Sequence, residues 1–218
     1  MQATQDARLL RVSMSRVVVI IPVKPPAVGK SRLDLAAPRR IALATAFSRD
    51  TLEAALRAET VEQVLVVTDD FRFAALAQES GCAVIPDGVT GDLNASLVQA
   101  AHEAARRWPG LRIAALCADV PALQAEDLDT ALTEANDHRS SFVRDAHGTG
   151  TSLYVAAEVE LFAPRFGVGS AAAHRDGGAS ELGGDLLTLR QDVDDAGDLG
   201  RALALGVGAH TAQALVGG

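Results

Sequence analysis

Apolar residues in this chain fall into short unbroken runs separated by stretches with a helical period. The first run, Val17–Ile21 (VVVII), is mostly β-branched and reads as a strand buried on both faces. It stops at Pro22, which has no N–H to give to a ladder. Leu43/Phe47 and Leu52/Leu56 stand four apart, so residues 38–57 predict an amphipathic helix. Glu62–Thr68 is a second buried strand, Asp69 and Asp70 close it, and Phe71–Ser80 reads as a helix ended by Gly81. Ala83–Pro86 is a short third strand. A polar turn, Asp87–Asn94, leads into a helix over 95–108, with Asp92 or Asn94 as its cap. Ile113–Cys117 is the fourth strand, and a helix runs through 127–136. Strands alternating with helices predict an α/β fold, its sheet parallel over at least the first half.

After residue 140 the rhythm loosens. Ser141–Arg144 and Ser152–Ala156 read as strands, 171–181 is small and polar, and Leu186–Leu189 is strand-like, leading extended into Asp192–Asp194. A late helix spans 196–205, and 206–215 closes the chain. No repeat or linker divides it, so 16–218 reads as one domain behind a flexible extension, residues 1–15, in which Met14 is a candidate start.

Composition narrows the partners. Hydrophobic residues make up 48% and charged residues 22%, and aromatics are only 4%, so the core must be built from Ala, Val, Leu and Ile. A formal charge of −8 argues against nucleic acid and against an acidic membrane surface. An anionic ligand must therefore be met locally by cations, backbone amides or a metal. Cys82 and Cys117 form no CxxC pair and read as reduced thiols. No apolar run reaches the roughly 18 residues of a membrane span, and the first residues lack a signal-peptide core; a cytoplasmic location is expected.

Candidate chemistry clusters at strand ends. Past the first strand, Lys24, Lys30 and Arg32 stand along a loop holding Pro25, Pro26 and Gly29. Such a loop either holds phosphates or is a solvated surface. It is no P-loop, since its first glycine is missing and the prolines disturb the backbone cradle. Asp119 follows the fourth strand, where open α/β sheets place ligands. It suits a hard cation such as Mg²⁺, or it caps the next helix. Asp192 and Asp194 share one face if extended, and one of Asp192, Asp194, Asp195 and Asp198 is expected to cap the late helix. Two glycine-rich loops, Gly148–Thr151 and Gly167–Ser170, offer nests for carboxylate or phosphate, or are plain turns. His174 and Arg175 after the second loop read as added cations. GxGxxG, GxSxG and HExxH motifs are absent.

In order, VVVIIPVKPPAVGKSRL, DLNASL, ALCADVPAL, SFVRDAHGTGTSL, PRFGVGS and DVDDAGDL make the chain resemble the 2-phospho-L-lactate or phosphoenolpyruvate guanylyltransferases of coenzyme F420 biosynthesis, over about residues 16–210. The resemblance implies a Rossmann-like nucleotidyltransferase fold, similar to GT-A glycosyltransferases and molybdopterin-dinucleotide synthases. It implies helices on both faces of a mostly parallel sheet, with mixed strands in the second half. It also implies GTP as donor, Mg²⁺ as cofactor and a phosphorylated three-carbon acid as acceptor, with a product handed to the next enzyme of coenzyme assembly. By position, Asp119 and Asp194 match the metal ligands, and Thr151, Gly167 and Ser170 match the positions that grip phosphoenolpyruvate. Lys24, Lys30 and Arg32 match the basic loop at the GTP phosphates, with Lys30 counted among the catalytic residues beside the two aspartates. Asp92 and Asn94 match a segment near the guanosine; Ala95, where some relatives carry Asn, departs from it. The substrate phosphate is already ionised, so no general base is required. Remaining alternatives are 3-phospho-D-glycerate as acceptor, a molybdenum-cofactor-type nucleotidyltransferase, or a non-catalytic nucleotide-binding protein of this fold. IPVKPP in place of a glycine-rich first loop counts against the molybdenum-cofactor type.

Overall fold

The computed structural model describes residues 16–24, 33, 35–89 and 91–217. The expected N-terminal extension, 1–15, and the basic-loop residues Lys30 and Arg32 lie outside them.

The first strand, β1 (Val17–Pro22), is the axis of the molecule. Its five apolar side chains are all fully buried and alternate between two cores. Val17, Val19 and Ile21 join one core, while Val18 and Ile20 join the other. A strand with period-two side chains can do this only if both sheet faces are covered. On the first face lie α1 (Ala37–Arg57), α2 (Phe71–Glu79) and α4 (Ala125–Glu134), through residues such as Leu52, Phe73 and Leu128. The second face is covered by α3 (Leu93–Arg107) and α5 (Ser170–Asp176), through Leu97, Ala100, Ala104 and Ala171. The alanines let these helices approach closely, as an aromatic-poor composition requires.

The remaining strands are β2 (Val61–Val67), β3 (Ala83–Ile85), β4 (Arg112–Leu116), β5 (Ser140–Arg144), β6 (Thr151–Ala156) and β7 (Ser180–Glu181). They form a seven-stranded sheet in the order β3-β2-β1-β4-β6-β5-β7. Strands β1 to β4 pair in parallel, β6 runs antiparallel to both β4 and β5, and β7 pairs in parallel with β5. The order reverses beside β1, which places a topological switch point between the carboxyl ends of β1 and β4.

One expectation for the second half is corrected. The strand-like Leu186–Leu189 segment is instead a short helix, α6 (Leu187–Arg190). The edge beside β5 is already taken by β7, whose neighbour Leu182 donates its N–H to the Phe142 carbonyl at 2.8 Å. The segment turns over to bury Leu189, and Asp127 of α4 anchors it through the Thr188 N–H and hydroxyl. The small, polar 171–181 stretch carries α5 and β7. At the end of the chain, α7 (Ala196–Leu205) and α8 (Ala209–Val216) complete a third cluster with α1 around Phe47, Val193 and Ala202. The buried Asp50 carboxylate accepts the His210 and Thr211 N–H groups, which ties α8 to α1.

Candidate active site

A cavity of about 690 Å³ opens where the carboxyl ends of β4 and β5 meet the start of β6. One wall is acidic, with Asp119, Asp192 and Asp194. The lining is completed by Asp145, Thr149, Gly150 and Thr151, and by the turn from Phe166 to Ser170.

The acidic wall is assembled by main-chain bonds. Asp119 follows β4, and its carbonyl accepts the Val193 N–H at 3.0 Å, so the two aspartate segments run side by side. Thr51 of α1 accepts the Val120 N–H at 3.2 Å and steadies the turn. Val193 is fully buried while Asp192 and Asp194 line the cavity, so the alternation expected of an extended segment holds here. Asp195 and Asp198 are taken up by α7: Asp195 caps it, and Asp198 returns a bond to the Asp195 N–H in a capping box. Those bonds hold the Asp195 carboxyl below its ordinary range, the Asp198 N–H foremost. Asp198 also pairs with Arg201.

The Asp145 carboxylate accepts the N–H groups of Thr149 (3.0 Å) and Gly150 (2.9 Å), closing the first glycine-rich loop onto itself. Sequence reasoning passed over Asp145; its spacing ahead of the GTGT segment was the available signal. Asp145, His147 and Asp192 bring ligand atoms within 4.8 Å of one another. Thr151 is buried, and its hydroxyl lies 3.0 Å from His174 Nδ1.

The second loop is pinned at consecutive residues. Arg165 donates its N–H to His174 Nε2 at 2.8 Å. Asn94 accepts the Phe166 N–H at 2.8 Å and donates to the Phe166 carbonyl at 2.9 Å. Gly167 (φ +137°) and Gly169 (φ +71°) then take backbone conformations that suit glycine, which turns Ser170 inward at the start of α5.

The structure thus brings Asp119, Asp194, Thr151, Gly167 and Ser170 around one cavity. Asp92 is exposed and caps α3 through the Ala95 N–H, while Asn94 directs its amide at Phe166. Lys24 is exposed just beyond β1. One expectation is overturned. His174 adds no cation: it is 1% exposed among Phe142, Tyr154 and Phe166, and burial foremost lowers its pKa to about 4.

The fold is that of sugar-nucleotide and related nucleotidyltransferases. The structure of 4-diphosphocytidyl-2C-methyl-D-erythritol synthase from Anaerococcus prevotii superposes with a TM-score of 0.57, covering 88% of this chain and 96% of that one at 10% identity. A cytidylyltransferase from Leptospira borgpetersenii superposes at 0.54, covering 85% and 84% at 17% identity. Within that class, residues 17–216 match the family described as "Guanylyl transferase CofC like", and the chain belongs to it. It is 45% identical over 196 residues to the phosphoenolpyruvate guanylyltransferase of Thermomonospora curvata, covering 89% of this chain and 86% of the relative. It is 42% identical over 203 residues to that of Mycolicibacterium gilvum, covering 90% and 94%. The chain is a nucleotidyltransferase, and no described helix is long and apolar enough to cross a membrane.

Proposed function

We propose that this protein transfers GMP from GTP to phosphoenolpyruvate and releases pyrophosphate, a step of coenzyme F420 assembly. The observation that carries the reading is the cavity itself, in which carboxylates, hydroxyls and glycine-loop backbone together line about 690 Å³. The relatives named phosphoenolpyruvate guanylyltransferase support GTP as donor and phosphoenolpyruvate as acceptor.

An oxygen of the acceptor phosphate attacks the α-phosphorus of GTP. A P–O bond forms there, the bond to the β-phosphate bridge breaks, and pyrophosphate leaves with the electron pair. The nucleophile is ionised at neutral pH, so the obstacle is repulsion between two anions, and the protein's work is positioning and charge neutralisation. Thr151, Gly167 and Ser170 hold the acceptor on one side. Lys24, with Lys30 and Arg32 further along the chain, supplies positive charge for the triphosphate, and the α3 start at Asp92 and Asn94 lies toward the guanosine.

The acidic wall fits a divalent cation: its donors are carboxylate oxygens from two chain segments, the hard set that Mg²⁺ prefers. Asp119 and Asp194, with Asp192 beside them, would hold it. Bound there, it supplies neutralisation of the phosphates and of the leaving pyrophosphate. The product is an activated phosphoanhydride, which favours direct hand-off to the next enzyme.

The test is pyrophosphate release from GTP and Mg²⁺ with phosphoenolpyruvate, 2-phospho-L-lactate or 3-phospho-D-glycerate offered singly. Phosphoenolpyruvate should give the highest kcat/KM. A higher value for another acid would reassign the acceptor, and no release with any of them would reject the transferase reading.

A further inference from the structure

His174 is buried, meets the Arg165 N–H and the Thr151 hydroxyl with its two ring nitrogens, and has no part in the mechanism above. A backbone N–H can only donate, so the Arg165 N–H at 2.8 Å requires a bare lone pair on His174 Nε2. A neutral imidazole carries one proton, which must then sit on Nδ1, facing Thr151 Oγ1 at 3.0 Å. An imidazolium would instead set an Nε2–H against the Arg165 N–H. The surroundings agree: the ring stacks on Tyr154 (4.7 Å) and Phe142 (5.6 Å), with Phe166 edge-on at 5.4 Å. Desolvation, the largest influence, disfavours protonation and outweighs a bond with the Ser170 backbone that opposes it; the nearby Arg165 charge adds a smaller push in the same direction as burial.

This tautomer decides the sign of the Thr151 contact. A hydroxyl has one proton. Had Thr151 donated to the ring, it would show only lone pairs to the cavity and repel an anion. Because it accepts from Nδ1–H, its own proton is free to turn inward.

We infer that His174 is a positioning residue for the acceptor: through Nδ1–H it makes the Thr151 hydroxyl a donor into the cavity, and through Nε2 it fixes the Arg165–Phe166 turn that presents Gly167 and Ser170. What Thr151 donates to rests on the function proposed above; the tautomer does not.

The experiment has two arms. In protein labelled with ¹⁵N-histidine, a ¹H–¹⁵N correlation at pH 7, with the signal assigned by its loss in His174→Gln, should show Nδ1–H and bare Nε2. An Nε2–H tautomer or an imidazolium overturns the inference, whatever the enzyme's activity. In kinetics, the Gln amide reaches the Nε2 position but loses the bond to Thr151. His174→Gln should therefore raise the acceptor KM on the order of 10- to 100-fold, the scale of one hydrogen bond to an anion, with GTP KM within about twofold. In a Thr151→Val background the same substitution should add nothing to the acceptor KM. Additive effects would mean that His174 acts on the fold alone and would overturn the inference. If wild-type protein turns over no acceptor, the proposed reaction falls while the tautomer result still stands.

Discussion

Asn94 closes both edges of its side-chain amide on the main chain of Phe166, donating from Nδ2 to the carbonyl at 2.9 Å and accepting the N–H at Oδ1 at 2.8 Å. The first turn of α3 and the acceptor loop are thereby one unit, although they are far apart in sequence. With Arg165 held by His174, two consecutive residues ahead of Gly167 have fixed backbones. A loop whose two glycines carry positive φ needs such anchors, since glycine restrains it poorly.

Removing that amide should loosen the loop. Asn94→Ala leaves a half-buried N–H and carbonyl of Phe166 unpaired, a cost of about 1–3 kcal/mol. Urea denaturation should report that loss, and the acceptor KM should rise more than the GTP KM. A rise in the GTP KM alone would mean that Asn94 serves the nucleotide and not the loop.

Neighbouring aspartates should behave oppositely. Asp194→Asn removes a carboxylate from the cavity wall, and turnover should fall by at least about 100-fold with the melting temperature kept. Asp195→Ala removes the α7 cap, so the urea midpoint should fall while folded protein keeps its turnover. Asp119→Ala should follow Asp194→Asn in pyrophosphate-release assays.

Gly150 leaves room for a carboxylate. A Cβ there would come 2.3 Å from Asp145 Oδ2, so Gly150→Ala must displace the side chain that closes the Thr149–Gly150 turn. A shift of about 1 Å in a positioning group costs on the order of 100-fold in rate. We expect kcat/KM for the acceptor to drop on that scale, and an unchanged value would remove Asp145 from the site's architecture.

Acid should destabilise the fold through His174. Its pKa is about 4 in the folded protein against an ordinary 6.5, so between these values the unfolded chain binds a proton that the native state does not. Stability is therefore whole above 6.5 and is lost as pH falls toward 4. From pH 7 to pH 5 the loss is about 2 kcal/mol. Urea titrations at the two pH values should show that difference, reduced in His174→Gln.

Much of this molecule could be read from local pattern. Val17–Ile21 announced a strand covered on both faces because five apolar residues in a row leave no face for water. The i,i+4 pairs marked α1, and Gly81 marked the end of α2. Leu186–Leu189 was misread because four mostly apolar residues have no period long enough to separate helix from strand; the edge already occupied by β7 decided it. His174 was misread because a histidine after Ala171–Ala173 carries no local sign of burial. Only the aromatic side chains of β5, β6 and the Phe166 turn, brought round it by the sheet, make it neutral.

By itself the amino-acid sequence determined the alternating strands and helices, the family through its spaced motifs, and the residue types at each strand end, because these depend on neighbours along the chain. Tertiary structure alone decided which aspartate caps α7 and which face the cavity, that Asn94 turns to Phe166, and that Thr151 meets a neutral ring. Those outcomes depend on hydrogen bonds between distant segments, such as Val193 to the Asp119 carbonyl, and no local pattern encodes which donor finds which acceptor once the sheet has closed.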